Sequence, residues 1–561
     1  MAIAETVEKL QHFRLNKLFA HLRGDLTGGL TAAVVAMPLA LAFAVASGVE
    51  PKAGLYTSIV AGIVAAIFGG SPVQITGPTG AMAVILVGIV AKYGIEKVWI
   101  AGALAGVIQI ALGMAKLGQL VKFIPYPVTA GFTNGIAVII FCGEFNHFFG
   151  LQLPSSEHFL PGLWQTFTHL EGINCAAIAL AAVVIITKVL WPRITTAIPG
   201  SLVGLVLATA IASYFDLDVP KIGEIPQYLP IPQAIPHWND FSLIRELINP
   251  ALALAALGSI ESLLSAVVAD GMTISEKHDS NRELIGQGLA NIVVPFFGGI
   301  PATGAIARTA VNVRSGGKTR LSAVIHSIAL GLIILAFAPL ATQIPLAALA
   351  GILMVVSLRM IEWEAIGLLM RATYSDFAVM ILTWLVTICF DLVLAVEIGL
   401  IAAGALFIKR MSDLSLAKVP ETEVFPPGIP LELAKEIAVY RVDGPVFFGA
   451  AERFVTFLRD EPEVKYLILR MRFVPNMDTT GLVALEDIYH DLKRHDCRLI
   501  LTGLQPQVQQ LLERSGLMEK IGEHNCFETT DAAIFAISPI KSESSSMVAA
   551  DSQSKELLVS R

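Results

Sequence analysis

Hydrophobic segments follow one another with only short gaps from Leu26 to about Phe407, and this run constrains the fold more than any other feature. In a chain with 55% hydrophobic and 15% charged residues and a mean hydropathy of +0.68, such a run is typical of a protein that crosses a membrane many times. Backbone polar groups inside a bilayer must be hydrogen-bonded by the protein itself, which favours helices. The sequence therefore predicts an all-α polytopic membrane domain.

The hydrophobic segments form two sets of seven on either side of a polar, proline-rich interval at 216–245. The predicted spans lie near 26–48, 53–70, 76–93, 96–115, 122–150, 173–191 and 197–214, and then near 246–269, 285–298, 303–313, 319–340, 344–358, 376–390 and 392–408. Because an odd number of spans makes the second half enter the membrane from the opposite side, we expect two inverted repeats. The segments at 285–298 and 303–313 are shorter than the roughly 20 residues of a full span, and we expect these to be broken.

The composition changes at both ends of this region. We predict a basic cytoplasmic N-terminal segment at 1–25 without a cleavable signal, a membrane domain at 26–410, a linker at 411–431, a small α/β domain at 432–540 and a disordered tail at 541–561. The α/β prediction depends on strands at 437–443 and 466–471 and helices at 450–459, 479–494 and 506–515. Lys409 and Arg410 close the last span, so both termini and the soluble domain are predicted to be cytoplasmic.

Several classes of function find no support in the sequence. It has no Walker loop, nucleophile elbow or nucleotide-binding fingerprint, so we expect neither an enzyme nor a cofactor. The five cysteines show no paired spacing, which argues against disulfides and a zinc site. The formal net charge is −7 and basic residues are not clustered, so no nucleic-acid partner is expected.

Two stretches interrupt the helical pattern inside the hydrophobic region. Phe296–Gly317 passes through glycine and proline residues and then supplies Thr303 and Arg308, and the stretch 75–82 also runs through glycine and proline into an apolar helix. Paired interrupted helices in corresponding positions of two halves are typical of the central site of a transporter. The N-terminus of a half-helix presents free N–H groups and the positive end of a dipole. We therefore predict an anion site where the two breaks meet.

Glu261 lies near the middle of the eighth predicted span, in the sequence LGSIESLLS. An ionised carboxylate is costly at that depth, so it must be protonated, paired or next to a cation. Ser262 and Ser265 add oxygen atoms to the same helix, and the three residues are predicted to form a cation-coupling site. We favour a proton, because one carboxylate with hydroxyls makes a sparse cage for sodium. The alternatives are a sodium ion at Glu261 and a structural ion pair with Arg308.

The order of several motifs resembles that of the SulP (sulfate permease) family of anion transporters. These motifs are PLALAFA at 38–44, GLY at 54–56, GPT at 77–79, GSIESLLS at 258–265, Arg308, and the glycine pair at 316–317. The soluble part resembles a STAS domain, with Asp478, Thr479 and Thr480 at its signature turn. Together the resemblance covers the chain from about Asp25 to Ile537.

The resemblance implies a seven-plus-seven inverted repeat divided into core and gate subdomains, a homodimer, and anion transport by an elevator-like motion. It also implies that the anion lies between the two half-helices. The substrate-binding residues implied in this way are Phe43, Thr76, Gly77, Thr79, Gly80, Thr303, Gly304, Ala305 and Arg308.

The predicted function is therefore secondary active transport of a small inorganic anion of the sulfate or bicarbonate class, coupled to protons or sodium, across the plasma or bacterial inner membrane. A C4-dicarboxylate/proton symporter of the same family and, less favoured, an anion channel are the open alternatives. The STAS domain is predicted to be regulatory. Thr480 occupies the position that is phosphorylated in anti-sigma antagonists, but we favour a helix N-cap formed by Asp478 or Thr479.

Overall fold

The structure is a computed structural model, and it describes residues 21–119, 124–154, 156, 158–195, 198–233, 241–273, 277–390, 392–412, 415–418, 431–446 and 464–538. The chain divides into two compact units, Met1–Ala403 and Gly404–Arg561. Residues 1–20 of the N-terminal segment predicted at 1–25, the predicted helix at 450–459 and the predicted tail at 541–561 lie outside the described residues. The remaining residues of the N-terminal segment include the start of α1, the helix Leu22–Ala46.

The first unit is helical. Its first half contains α1 (Leu22–Ala46), α2 (Pro51–Phe68), the short strand β1 (Thr76–Gly77), α3 (Gly80–Tyr93), α4 (Ile95–Met114), α5 (Tyr126–Gly143), α6 (Phe145–Phe148), α7 (Phe159–Thr168), α8 (Cys175–Leu190) and α9 (Gly200–Tyr214). The second half contains α10 (Phe241–Met272), α11 (Ser280–Val293), β2 (Thr303–Gly304), α12 (Ile306–Arg314), α13 (Arg320–Ala341), α14 (Leu346–Met360), α15 (Trp363–Ala372), α16 (Tyr374–Cys389) and α17 (Leu392–Ser412).

A helix lies at each of the fourteen hydrophobic segments predicted from the sequence. Within the described residues, eight helical segments are long and apolar enough to cross a membrane. The shorter helices α3, α9 and α16 are also apolar. The first unit is therefore a multi-span helical membrane domain.

The structure corrects the sequence prediction at the interrupted segments. The half-helices expected to start near Thr76 to Gly80 and Thr303 to Ala305 begin at Gly80 and Ile306, and the residues before them at 76–77 and 303–304 are extended strands. The segment expected to be broken at 285–298 contains most of the continuous helix α11, which begins at Ser280 because the Asp279 side chain accepts hydrogen bonds from the first N–H groups. Only the second short segment, which contains α12, is a half-helix.

Two helices of the first unit were not predicted. Both α7 and α15 have ten residues, so they are too short to register as spans. Each exposes large apolar side chains, Trp164 in α7 and Trp363 and Leu368 in α15. These exposed residues are typical of helices that lie at a membrane surface.

Two helices from different halves of the first unit pack together through a reciprocal glycine contact. Helices α4 and α11 cross at Gly106 and Gly288, and a Cβ atom on either glycine would lie 2.5 Å from the backbone oxygen of the other. Small residues at such a crossing let two membrane helices approach closely. The contact between α4 and α11 is therefore reciprocal.

The second unit is an α/β domain built on a five-stranded sheet. Its elements are β3 (Ser415–Lys418), α18 (Leu431–Lys435), β4 (Ile437–Asp443), β5 (Tyr466–Phe473), α19 (Thr479–Arg494), β6 (Arg498–Thr502), α20 (Pro506–Arg514), α21 (Leu517–Ile521), β7 (Cys526–Phe527) and α22 (Thr530–Ile537). The strands lie in the order β3-β4-β5-β6-β7, parallel except for β3. Alternating side chains pack on opposite faces, Leu467 and Leu469 against one core and Ile468 against the other.

The predicted strands at 437–443 and 466–471 are confirmed as β4 and β5, and the predicted helices at 479–494 and 506–515 as α19 and α20. The predicted linker at 411–431 was wrong in part, because its residues 415–418 form β3 and pair with β4. Four residues of an edge strand carry too little pattern to be recognised in the sequence.

Candidate functional site

The two interrupted segments meet at a pair of very short strands. Strand β1 pairs antiparallel with β2, so that Thr76 lies opposite Gly304 and Gly77 opposite Thr303. The pairing continues to Ala305, whose N–H donates to the carbonyl oxygen of Ile75 at 2.8 Å. Helix α3 begins three residues after β1, and α12 begins two residues after β2. The N-terminal ends of both helices therefore meet where β1 pairs with β2. This junction of the stretches 76–80 and 303–308 is the crossing.

Arg308 lies in the first turn of α12 and is 1% exposed. Its Nη2 donates to the carbonyl oxygen of Pro78 in the other interrupted segment. Its Nη1 is buried and has no hydrogen-bond partner among the described residues. A Cβ atom on Gly77 would lie 2.5 Å from Nη1, so a residue without a side chain is needed there. The crossing thus holds a buried cation, Arg308. One of its guanidinium nitrogens has no hydrogen-bond partner in the part of the chain that the structure describes.

Glu261 reaches the crossing from α10. Its Oε2 accepts a hydrogen bond of 2.8 Å from the hydroxyl of Thr79, which is the N-cap of α3. Glu261 remains partly exposed, and it interacts electrostatically with Arg308 without a direct ion pair. The predicted alternative of a structural ion pair with Arg308 is therefore wrong in this conformation, and Thr79 is the direct partner.

The two serines of α10 hold the second interrupted segment in place. Ser262 Oγ lies 2.7 Å from the hydroxyl of Thr303 and accepts from the N–H of Gly304 at 3.0 Å. Ser265 Oγ donates to Thr309 Oγ1 at 3.3 Å. Both serines are fully buried, so their oxygen atoms are occupied by contacts to β2 and α12. This arrangement positions the half-helix and leaves Glu261 with few oxygen neighbours for a metal ion.

Phe43 lies beside the start of α3. A Cβ atom on Gly80 would lie 3.2 Å from the ring of Phe43 and 2.5 Å from Ile140, so glycine is required for this close packing. Phe43 and Ile140 also line a cavity of about 1060 Å³, which extends toward the C-terminal end of α3 at Lys92. Phe43 thus forms a wall between that cavity and the helix N-terminus.

The sequence analysis missed a polar face of α11. Glu283, Gln287 and Asn291 are buried, and their spacing of four residues places them on one side of the helix. Glu283 accepts hydrogen bonds from the N–H groups of Gly70 and Ser71 at 2.8 and 2.9 Å. The polar face of α11 could have been predicted from this four-residue spacing of polar side chains in an otherwise apolar region.

The same face of α11 also supports both strands of the crossing. Gln287 Nε2 donates to Thr76 Oγ1 at 2.8 Å. Asn291 exchanges two hydrogen bonds with the backbone of Ala302, immediately before β2. Helix α11 therefore fixes the position of both interrupted segments.

At the turn of the soluble unit, Asp478 is the N-cap of α19 and its side chain accepts from the N–H of Gly481 at 2.8 Å. The preferred interpretation of this turn is confirmed. Thr479 and Thr480 are exposed on the first turn.

Comparisons with known proteins agree with this architecture. The model of the sulfate permease family matches residues 22–383, and that of the STAS domain matches residues 429–533. The chain is 41% identical over 493 residues to a putative sulfate transporter, YvdB, of Bacillus subtilis, covering 86% of the chain and 92% of the relative. It is 35% identical over 563 residues to the bicarbonate transporter BicA of Synechocystis sp., covering 94% of the chain and 98% of the relative.

Solved structures show the same fold. The transmembrane domain of a cyanobacterial bicarbonate transporter BicA matches with a TM-score of 0.61 and 36% identity, covering 70% of the chain and 98% of that domain. The structure of SLC26A9 matches with a TM-score of 0.81 over 95% of the chain and 92% of SLC26A9, and at 18% identity this likeness concerns the fold alone.

Proposed function

The chain belongs to the sulfate permease family of anion transporters, which are not enzymes, and we propose that it carries sulfate or bicarbonate by secondary active transport coupled to protons. The observation that carries this proposal is the buried Nη1 of Arg308, which has no hydrogen-bond partner among the described residues at the crossing where two helix N-termini meet. A buried cation in that setting is costly unless an anion compensates it. The bound anion would supply that compensation.

The two helix ends contribute partial positive charges rather than full ones. Each helix N-terminus is equivalent to about half a positive elementary charge, and its electrostatic effect falls off within the first turn of the helix. Together with Arg308 they attract an anion strongly enough to bind it, and the absence of a second full cation favours release. We propose that the anion is held by the N–H group at Gly80, the hydroxyl of Thr79 and Arg308, with Phe43 as the apolar wall. The predicted contacts of Ala305 and Thr303 are not part of this proposal, because the Ala305 N–H donates to the carbonyl oxygen of Ile75 and the Thr303 hydroxyl is bonded to Ser262 and to the carbonyl oxygen of Gly258.

We propose both sulfate and bicarbonate as substrates because of the names of two relatives. The relative at 41% identity is named a putative sulfate transporter and the one at 35% a bicarbonate transporter, and both cover most of the chain. Hydroxyl and N–H donors suit either oxyanion. No observation specifically favours a C4-dicarboxylate or a channel.

Glu261 is the proposed proton site. When it is ionised, its carboxylate accepts the hydroxyl proton of Thr79, as in the structure. When it takes up a proton, it loses its negative charge and its own O–H donates to Thr79 Oγ1. The hydroxyl proton of Thr79 is then free to turn toward the anion. Protonation would thus remove a repulsive charge from the site and add one donor to it, which links proton uptake to anion binding.

The proposed motion follows from the hydrogen bonds at the crossing. They connect α3, α10, α11, α12 and both strands through buried side chains, so these elements form one block. We propose that this block is the mobile core of an elevator in a homodimer, with fourteen spans arranged as inverted repeats. The helix at every predicted segment and the reciprocal contact of α4 and α11 support that arrangement. Both termini and the STAS domain would then be cytoplasmic.

The test is uptake by the full-length protein in proteoliposomes. Labelled sulfate, bicarbonate and succinate would each be offered with no gradient, with a proton gradient and with a sodium gradient. We expect sulfate or bicarbonate to accumulate under the proton gradient, and Glu261→Gln to abolish accumulation while leaving anion exchange measurable. Accumulation driven only by sodium would overturn the proton assignment, and wild-type accumulation by Glu261→Gln would overturn the coupling role.

A further inference from the structure

Three exposed cations lie together where α1 begins and α12 ends. The side chains of Arg23, Arg314 and Lys318, here called the basic patch, have no hydrogen bond or ion pair to another described residue. They differ in this from Arg282 and Arg320, which donate to carbonyl oxygens at the end of α2 at 3.3 and 3.2 Å. The charges of the basic patch are therefore available to a partner outside the described part of the chain.

Contacts between α1 and the segment that joins α12 to α13 bring the basic patch together. The hydroxyl of Thr27 on α1 donates to the carbonyl oxygen of Ser315, the residue directly after α12, at 2.8 Å. The N–H of Lys318 donates to Asp25 Oδ1 at 2.7 Å, and Arg23 lies two residues before Asp25. The three cations therefore belong to one surface, formed by the start of α1 and the segment after α12.

The nearby carboxylate of Asp25 does not neutralise the basic patch. Asp25 is fully buried, and it accepts hydrogen bonds from the N–H groups of Lys318 and Thr319 and from the hydroxyl of Thr319. Thr319 is the N-cap of α13, so the carboxylate stabilises the start of that helix. With three exposed cations beside one buried carboxylate, this surface keeps a net positive charge.

An apolar stripe of leucines borders the basic patch on α1. Leu22, Leu26 and Leu30 are 42%, 45% and 45% exposed, and their four-residue spacing places them along one face of the helix. At about 100° per residue, Arg23 lies only about 20° around the helix from this leucine stripe. Exposed leucines on a membrane helix face the acyl chains of lipids, which are equally apolar. The basic patch therefore lies at the end of a surface that contacts lipid.

We propose that the basic patch binds the headgroup of an anionic phospholipid whose acyl chains lie along the leucine stripe. Arginine and lysine donate charge-assisted hydrogen bonds to phosphate oxygens, and basic clusters beside transmembrane helices are typical sites for anionic headgroups. A free inorganic anion would need only the cations, whereas the adjoining leucine stripe suits a ligand that also carries acyl chains. This inference does not rest on the proposed transport function, because no residue of the patch or the stripe belongs to the anion site.

The experiment measures lipid binding to the full-length protein by native mass spectrometry. Phosphatidylglycerol and phosphatidylcholine with identical acyl chains are titrated separately, so that only the headgroup charge differs. The test variant combines Arg23→Gln, Arg314→Gln and Lys318→Gln, and each substitution is also made alone. The matched control loses the same charge from exposed residues on three separate elements and combines Lys116→Gln, Arg193→Gln and Arg371→Gln.

We expect the wild-type protein to bind phosphatidylglycerol at least about tenfold more tightly than phosphatidylcholine. Each single substitution in the basic patch should weaken phosphatidylglycerol binding about fivefold, which corresponds to about 1 kcal/mol for one cation near a membrane surface. The triple variant should abolish the headgroup preference, whereas the control should stay within about twofold of wild type. Equal affinities of the wild-type protein for the two lipids overturn the proposal, and so does an equal loss in the control, which would show a general effect of net charge.

A second measurement separates a lipid from a free anion. A ligand that binds the folded state raises the thermal midpoint, so the midpoint of the wild-type protein in neutral detergent is measured with phosphatidylglycerol or with glycerol phosphate, its headgroup without acyl chains. We expect phosphatidylglycerol to raise the midpoint and glycerol phosphate at the same concentration to leave it unchanged. Equal shifts would show a site for free anions and overturn the lipid assignment. This comparison uses the wild-type protein, so it decides the question even if the triple variant does not fold.

Discussion

Replacing Glu283 by alanine is expected to destabilise the membrane domain more than any surface substitution. The Glu283 carboxylate is 2% exposed and accepts four hydrogen bonds, from the N–H groups of Gly70 and Ser71 and from the side-chain amides of Gln74 and Gln287, at 2.8 to 3.0 Å. Alanine would leave four buried donors unpaired, at about 1–3 kcal/mol each before relaxation. Even if water replaces half of these bonds, the expected loss is at least about 2 kcal/mol.

Glu283→Gln should be much milder. The glutamine oxygen can keep the two backbone donors, and its amide would face Gln74 and Gln287. The carbonyl oxygens of these two side chains are buried and have no partner in the part of the chain that the structure describes. A flip of those two amides supplies acceptors for the new N–H groups, so we expect a loss below about 1.5 kcal/mol.

The assay is equilibrium unfolding of the purified protein in mixed micelles, with the thermal midpoint as a second measure. Glu246→Ala is the control, because Glu246 forms a half-exposed ion pair with Lys97 at 3.4 Å and such pairs contribute about 0–1 kcal/mol. The expected order of destabilisation is Glu283→Ala, then Glu283→Gln, then Glu246→Ala. If Glu283→Ala is no less stable than the control, the proposed support of the crossing by α11 is refuted.

Three further predictions concern packing, thiol chemistry and the soluble domain. Gly106→Ala should cost about 1–3 kcal/mol of unfolding free energy, because its Cβ would lie 2.5 Å from a carbonyl oxygen of the facing helix, whereas Gly143→Ala, with no atom within 4 Å, should be neutral in the same assay. Burial raises the pKa of Cys497 and of Cys526 from 9.0 to about 11, so alkylation of both, followed by mass spectrometry, should be slow at pH 7 and rise with pH up to about 11; fast labelling at pH 7 would contradict this. Deleting the STAS domain should lower abundance or rate before it changes anion selectivity, and full abundance with an exchanged selectivity would contradict its regulatory role.

The sequence was sufficient for the fourteen hydrophobic helical segments and for the breaks before α3 and α12, because both depend on local signals, but it wrongly placed a break at 285–298. Hydrophobic runs mark the spans, and glycine and proline mark the interruptions before α3 and α12. What joins the breaks is not local. The pairing of β1 with β2 involves two residues on each side and a separation of more than two hundred residues. A strand of two residues is too short to show a periodic pattern, so its pairing could not be predicted from the sequence.

The hydrogen-bond partners of the buried charged side chains could not be predicted from the sequence either. Glu261 and Arg308 were recognised as costly charges in an apolar region, but their partners depend on how distant segments pack. Thr79, which binds Glu261, is 182 residues away in the chain, and Pro78, which binds Arg308, is 230 residues away. The role of Glu283 was missed for the same reason, because three of its four donors come from a loop of the first half.

The anion site itself is tested most directly by the charge at Arg308. Half-saturation for labelled sulfate and bicarbonate would be measured in proteoliposomes for Arg308→Lys, Arg308→Ala and Arg308→Glu, each corrected for the amount of folded protein. A buried cation beside the anion contributes a few kcal/mol, so we expect half-saturation to rise by about 10- to 100-fold in the alanine variant and further in the glutamate variant, with a milder rise in the lysine variant. Unchanged half-saturation in Arg308→Glu would contradict the binding of the anion at this crossing.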